Sequence, residues 1–137
     1  MNLGYVGRSL PPTEPAIISA DAVARFAAAL GHSGAGLVSV PPTFLISLTL
    51  PAADPLIDDP GFGLDFSRVL HREQRFEYVR APRVGDRVSC VVTVDSIKVV
   101  AGNELLSLRT DVTAADDEPV AVVHTTLFVA AEPAEET

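Results

Sequence analysis

The sequence predicts an α+β domain in which a curved antiparallel sheet wraps around one hydrophobic helix. Two segments with helical spacing, 20–30 and 43–50, lie in the first half of the chain. Residues 68–129 then alternate apolar and polar side chains over four runs separated by turn residues, which is typical of consecutive antiparallel strands. Because segment 43–50 is apolar nearly all round, it needs a sheet to cover it.

The length of 137 residues fits one domain with one core, predicted to span 1–131 and to be followed by an acidic, disordered tail at 132–137. The apolar stretch 40–50 is too short and too interrupted by proline, serine and threonine to span a bilayer. The first ten residues lack the apolar core of a secretion signal. A cytoplasmic location without a membrane span is therefore expected.

Charge and cysteine content exclude several function classes. The net charge is −8 and Lys98 is the only lysine, which argues against nucleic-acid binding. Cys90 is the only cysteine, so an internal disulfide is impossible and a cysteine-based metal cage is excluded. The histidines lack metal-site spacing, and phosphate-loop, nucleophile-elbow and nucleotide-binding motifs are absent. No metal or cofactor is predicted.

The element boundaries follow from capping and turn residues. Ser19 suits the N-cap of helix 20–30 and Gly31 suits its end. Thr43 is the expected cap of the second helix, which Pro51 must end or kink. A change in the alternation near Ser96 predicts a β-bulge. In the first strand, strict alternation places two groups on opposite faces: Leu70, Gln74, Phe76 and Tyr78 on one, and His71, Glu73, Arg75 and Glu77 on the other.

A curved antiparallel sheet around one helix is the hot-dog arrangement, and several segments carry a more specific resemblance. They are Gly4–Arg8, Val40–Phe44, Gly63–Phe76 and Arg83–Arg87. In these segments, and in their order over residues 4–130, the chain resembles the actinobacterial family of MaoC-like dehydratase N-terminal domains. That family includes the acyl-binding subunits of mycobacterial fatty-acid dehydratases.

The resemblance implies a hot-dog dimer or double hot-dog and a tunnel for an acyl chain carried on coenzyme A or acyl carrier protein. Catalytic members carry a G-D-x-N-P-x-H motif, whose aspartate and histidine move protons during reversible hydration of an enoyl thioester. Here the corresponding segment reads Gly31-His32-Ser33-Gly34-Ala35-Gly36, without that pair. In the family, subunits that lack the pair bind the acyl chain beside a MaoC-like subunit that supplies it.

Candidate site residues remain for both chemistry and binding. His32, beside a helix C-terminus, and His71 are the alternative catalysts, each weighed against a surface or structural role, while His124 fits a hydrogen-bonded core position. Gly34 and Gly36 are candidates for donating backbone N–H groups to a thioester oxygen. Arg83 and Arg87 are candidate phosphate ligands, against a plain role in strand ion pairs for the other arginines. Five apolar residues are candidates for lining an acyl tunnel or simply filling the core: Phe44, Leu48, Phe62, Phe66 and Leu70.

Three functions are compatible with this pattern. The first is an acyl-thioester-binding subunit, acting in a heterodimer with a catalytic MaoC-like subunit. The second is a self-sufficient hot-dog dehydratase or thioesterase of lipid or polyketide metabolism that uses His32 or His71. The third is a non-enzymatic homodimeric binding protein. Enoyl-CoA hydration assays with and without a co-encoded MaoC-like protein separate them.

Overall fold

The computed structural model describes residues 1–32 and 39–135, and within them the chain forms five strands and three α-helices. In chain order these are β1 (Ala16–Ile17), α1 (Ala20–Ala29), α2 (Ile46–Ala52), α3 (Asp54–Ile57), β2 (Val69–Tyr78), β3 (Arg87–Val100), β4 (Asn103–Thr113) and β5 (Pro119–Val129). The strands form one antiparallel sheet in the order β1-β3-β4-β5-β2. The helices and the inner sheet face share one hydrophobic core, which is the hot-dog architecture.

None of the helices in the described part of the chain is long and apolar enough to cross a lipid bilayer. The longest, α1, has ten residues and packs Val23 and Ala27 into the core. The two ends of α1 confirm the predicted N-cap at Ser19 and the predicted stop at Gly31. The Ser19 side chain accepts a hydrogen bond from the Ala22 backbone N–H, and Gly31 follows the helix at a φ of 85° that favours glycine.

The second helix differs from the predicted 43–50. Thr43 does not cap it; the chain enters through turn hydrogen bonds such as Phe44 N–H to the Pro41 carbonyl, and α2 begins at Ile46. The helix passes through Pro51 to Ala52, and α3 follows Ala53. Pro51 has no N–H to donate to the preceding turn, so the helix breaks within two residues after it.

Burial of this segment is less complete than the apolar sequence predicts. Phe44 and Leu45 are at most 3% exposed, but Leu50 is 38% exposed. One side of the helix therefore packs on the sheet while another still presents apolar surface.

The hairpin of β3 and β4 confirms the predicted bulge. The pairing register shifts between Val94 and Ser96, so Asp95 is the extra residue. The turn that follows uses Ala101 and Gly102 at φ values of 51° and 81°, the mirror-image geometry that two-residue hairpins favour. This bulge restores the inward direction of the apolar side chains after Asp95.

Strand β2 carries a second bulge, which the sequence did not predict. His71 pairs with Leu127 and Glu73 with Thr126, so Arg72 has no partner in β5. Because of this extra residue, His71 lies on the inner face with Gln74, while Leu70 lies on the outer face. The predicted faces were wrong for Leu70 and His71, and right for Gln74, Phe76 and Tyr78.

The Arg83–Arg87 segment has a structural role around Asp86. The Asp86 carboxylate accepts hydrogen bonds from the Arg80 guanidinium at 2.7 and 3.2 Å and from the Arg83 backbone N–H at 2.8 Å. Arg80 also donates to Glu118 at 2.6 Å, so it ties the β2–β3 loop to the start of β5. Gly85, at a φ of 96°, allows the turn that brings Asp86 back to Arg80.

Replacing Asp86 with asparagine is expected to lower the free energy of unfolding by about 1–3 kcal/mol at neutral pH, since a largely buried, charge-assisted pair is lost. The hydrogen bonds from Arg80 lower the pKa of Asp86 below its usual range. The native carboxylate therefore stabilises the fold above about pH 4, and this stabilisation is lost as the pH falls through the lowered pKa. Urea unfolding at pH 6 and pH 3 should show a smaller difference for Asp86→Asn than for the wild type. Equal differences would contradict this account.

Candidate functional site

A cavity of about 410 Å³ lies between α2, α3 and the inner face of β2 and β5, and is called the β2 cavity below. Its wall is mostly apolar, with His71 and Asp54 as the ionisable side chains. The lining residues are Leu50, Pro51, Asp54, Ile57, Phe66, Val69, His71 and Leu127. Two of these, Leu50 and Phe66, are 38% and 64% exposed, so the cavity has an apolar rim open to solvent.

A smaller cavity of about 220 Å³, the β3 cavity, lies against β3. It is formed by the N-terminal segment, α2 and β3, and Leu48 and Cys90 contribute to its wall. Pro51 lines both cavities.

Burial raises the pKa of the Cys90 thiol to about 11, so the side chain is a neutral thiol at physiological pH and a poor nucleophile.

A polar cluster adjoins the β2 cavity. His71 Nε2 lies 2.8 Å from Gln74 Oε1, and the Thr125 hydroxyl donates to the same oxygen at 3.0 Å. Thr125 is buried in β5 directly opposite Gln74 in β2. The bulge at Arg72 brings His71 and Gln74 to one face, so this cluster depends on it.

The predicted apolar candidates occupy different places. Phe66 lines the β2 cavity and Leu48 lines the β3 cavity. Phe44 and Phe62 are 3% and 0% exposed and belong to the core, where the Phe62 ring packs 5.2 Å from that of Tyr5. Leu70 is 65% exposed on the outer face. The structure therefore brings only Phe66 together with His71.

The three histidines are also separated. His32 is exposed just after α1 and lines neither cavity. His124 was predicted in the core, but it lies half-buried on the outer face of β5, with Nε2 3.3 Å from Glu77 Oε2. From Ala121 to Val129 the odd-numbered residues of β5 are the buried set, so the even-numbered residues, His124 among them, face outward. Gly34 and Gly36 lie outside the described residues.

The candidate phosphate ligands lie at the far end of the sheet from the β2 cavity. Arg83 is exposed in the β2–β3 loop, and Arg87, which opens β3, lines a third cavity of about 480 Å³ beside the β4–β5 turn. The strand from His71 to Tyr78 spans about 24 Å at ~3.4 Å per residue. The other arginines are largely engaged in ion pairs, as with Arg68 and Asp65 or Arg75 and Glu77.

Sequence reasoning missed most of the β2 cavity wall. Leu50, Pro51 and Ile57 come from the helices, and Val69 and Leu127 from strands that are distant in sequence. Their apolar character was visible, but residues that line a cavity and residues that fill a core have the same pattern. Within the described residues, no three His, Cys, Asp or Glu side chains are grouped as a metal site.

Comparisons with known proteins agree with this architecture. The family model described as the FAS1-like dehydratase domain region matches residues 5–123. A UPF0336 protein of Streptomyces coelicolor is 39% identical over 96% of this chain and 96% of its own length.

Two solved structures show the same fold. A chain of the HadBC complex, a 3R-hydroxyacyl-ACP dehydratase of Mycobacterium tuberculosis, superposes with a TM-score of 0.78 at 18% identity, covering 90% of this chain and 96% of that one. A MaoC-like dehydratase superposes with a TM-score of 0.75 at 24% identity, covering 93% of this chain and 43% of that one. Together with the match of the family model, this means that the chain belongs to the FAS1-like dehydratase domain family, as a UPF0336-type protein with the MaoC-like hot-dog fold.

Proposed function

We propose that this chain is the acyl-binding subunit of an enoyl-thioester hydratase or 3-hydroxyacyl-thioester dehydratase, and that a MaoC-like partner supplies the catalytic acid and base. The observation that carries the proposal is the apolar β2 cavity beside an edge strand that, among the described residues, is paired on one side only. The family match supports the reaction class, and the HadBC neighbour is itself a complex that performs this type of chemistry.

The β2 cavity suits the hydrocarbon part of the substrate. Its volume of about 410 Å³ falls in the range of small-molecule sites. Side chains such as Ile57, Val69 and Leu127 offer an acyl chain apolar contacts on several sides. Each methylene group buried there contributes about 0.8 kcal/mol. The acyl chain is therefore the part of the thioester that this subunit binds.

The edge strand suits a partner subunit. Strand β2 pairs only with β5 among the described residues, which leaves one side of a ten-residue strand open. Phe66, Leu70 and Val79, within or beside it, are each more than 60% exposed. An open strand edge of this length is a template for pairing with another strand. A partner placed there covers the open rim of the cavity and brings its own catalytic residues to the bound thioester.

The proposal assigns catalysis to the partner because the family's aspartate–histidine pair has no equivalent in this sequence. The test is hydration of enoyl-CoA by the purified chain alone, by a co-encoded MaoC-like protein alone, and by the two together. Activity that appears or rises at least tenfold only in the mixture supports the proposal. Hydration by this chain alone at the rate of the mixture contradicts it.

Filling the β2 cavity should weaken acyl binding. Val69→Phe adds volume within the wall and is expected to reduce acyl-CoA affinity at least tenfold, measured by calorimetry. Leu48→Phe is the control, because it places the new ring beside the β3 cavity instead. If Leu48→Phe weakens binding and Val69→Phe does not, the acyl chain occupies the β3 cavity instead.

One observation favours a second function, a self-sufficient dehydratase or thioesterase. His71 lines the β2 cavity, whereas His32 does not. If the chain alone turns over an acyl thioester, His71→Ala should abolish that activity and His32→Ala should preserve it. A chain that binds acyl-CoA but neither reacts alone nor activates a MaoC-like protein would instead be a binding protein without chemistry.

A further inference from the structure

A row of basic side chains crosses the middle of the outer sheet face, the face opposite the helices. Arg75 of β2 and Arg109 of β4 both lie directly opposite His124 of β5, so this basic row spans three neighbouring strands. The two arginine side chains are 58% and 43% exposed. Basic residues placed directly opposite one another do not stabilise a sheet. Pairing of the strands alone therefore does not account for the basic row.

A row of carboxylates runs beside the basic row on the same face. In this acidic row, Glu77 and Asp111 lie on either side of Val122, two residues along each strand and about 7 Å from the basic row. Glu77 Oε1 lies 3.7 Å from Arg75 Nη1, and Asp111 Oδ2 lies 3.4 Å from Arg109 Nε. The two carboxylate side chains are still 54% and 41% exposed, so each has room for a second ion-pair partner.

The two rows of opposite charge make the outer face complementary to a copy of itself. A half-turn about an axis that lies between the rows and runs parallel to them places the basic row of one copy over the acidic row of the other. Arg75 then faces Glu77 of the second copy, and Arg109 faces Asp111 of the second copy. A half-turn about an axis along the strands would instead place basic residues over basic residues. Charge therefore selects one arrangement of two copies.

The size and shape of the outer face allow this contact. β4 and β5 have eleven residues each, so at ~3.4 Å per residue and ~4.8 Å per strand, the sheet from β2 to β5 presents roughly 700 Å². Stable interfaces bury about 800 Å² per partner. Because the sheet curls around the helices, its outer face is convex, and the middle rows of two such faces meet first. The residues in these middle rows are the charged ones.

We infer that the outer face of β2–β5 is a docking surface for a second copy of this chain, held by ion pairs between the basic row of one copy and the acidic row of the other. Among the described residues, the basic row forms its ion pairs with the acidic row alone. The surface lies on the other side of the sheet from the β2 cavity and leaves the free edge of β2 open. A dimer formed here is therefore independent of the proposed acyl site and compatible with a MaoC-like partner at each edge.

The test is analytical ultracentrifugation of the full chain alone at low salt, with charge reversals in β4. The wild type is expected to dimerise with a Kd in the micromolar range, since the interface is polar and smaller than most stable ones. Arg109→Asp places a carboxylate over Asp111 of the second copy, and Asp111→Arg places a guanidinium over Arg109. Each change acts twice in the symmetric dimer, so each variant should dimerise about 10-fold or more weakly than the wild type.

Mixing the two variants is the decisive measurement. In a mixed dimer every reversed charge meets a charge of opposite sign, so the mixture should recover an affinity close to that of the wild type. The double variant that carries both changes should recover it as well. Glu73→Arg is the matched control, because it makes the same charge change as Asp111→Arg on the same face but outside both rows. It should leave dimerisation unchanged.

Three results would overturn the inference. They are a wild type that stays monomeric at millimolar concentration, a dimer that both single variants leave intact, and single variants whose mixture stays monomeric. The last result would mean that the two charges act within one chain. If Arg109→Asp or Asp111→Arg does not fold, Arg75→Asp and Glu77→Arg form the equivalent pair in β2. The acyl site is tested separately by the enoyl-CoA assay, so the two proposals can fail independently.

Discussion

Phe62→Ala is expected to destabilise the fold by about 3–5 kcal/mol, the cost of removing a large aromatic side chain from a closed core. Phe62 is 0% exposed, packs against the Tyr5 ring, and lines neither the β2 nor the β3 cavity. Urea unfolding measures the loss. Acyl-CoA affinity should be nearly unchanged under conditions in which the variant remains folded.

Phe66→Ala is the matched control, because the two phenylalanines are four residues apart and differ in environment. Phe66 is 64% exposed at the rim of the β2 cavity, so its removal should change stability by less than about 0.5 kcal/mol and weaken acyl binding. The reverse outcome, a stable Phe62→Ala variant that no longer binds acyl-CoA, would mean that Phe62 contacts the substrate.

Leu70→Asp is expected to weaken association with the proposed MaoC-like partner by at least about 30-fold, since it places a carboxylate on the edge strand that pairing would cover. Leu70 is 65% exposed on the outer face of β2, so the isolated chain should retain its stability. Analytical ultracentrifugation of the mixed chains measures the association, and hydratase activity of the mixture should fall with it.

Val99→Asp provides the comparison for the edge variant. Val99 is 63% exposed, close to the value for Leu70, but lies in β3, which β4 and β5 separate from β2 in the sheet. It should leave association unchanged. Equal weakening by both variants would indicate a non-specific charge effect, and no weakening by Leu70→Asp would place the partner elsewhere.

Local chemistry made part of the fold predictable. Ser19 and Gly31 define α1 because a cap side chain and a positive φ are local requirements that few residues meet. The bulge at Asp95 was visible because the apolar positions of β3 change phase around it. These features involve neighbours in sequence, so the sequence alone contains the information.

The β2 bulge had no such signal. Arg72 is the extra residue, and the exposed Leu70 gave the apolar pattern of a regular strand. Leu70 faces outward although it is apolar, and an alternating pattern predicts that an apolar residue of this kind is buried. If a partner covers this edge, the apolar residue Leu70 is buried in the complex. The sequence pattern of β2 then fits the complex and predicts the wrong face of Leu70 for the isolated chain.

The candidate site was harder to predict than the fold because its parts meet only in three dimensions. The β2 cavity combines α2 and α3 with the first residues of β2 and Leu127 of β5. Pro51 was expected to end or kink the helix; α2 continues one residue past it, and Pro51 lines both cavities. His71 was a candidate from the sequence, and its place in the cavity wall depends on the bulge.

The location of the acyl chain is tested most directly by photo-crosslinking. An acyl-CoA with a diazirine at the end of its chain is irradiated with the protein, and the modified residues are mapped by peptide mass spectrometry. We expect labelling of Ile57, Val69 or Leu127 in the wall of the β2 cavity. Labelling confined to Leu48, Val88 or Cys90 in the β3 cavity would contradict the account.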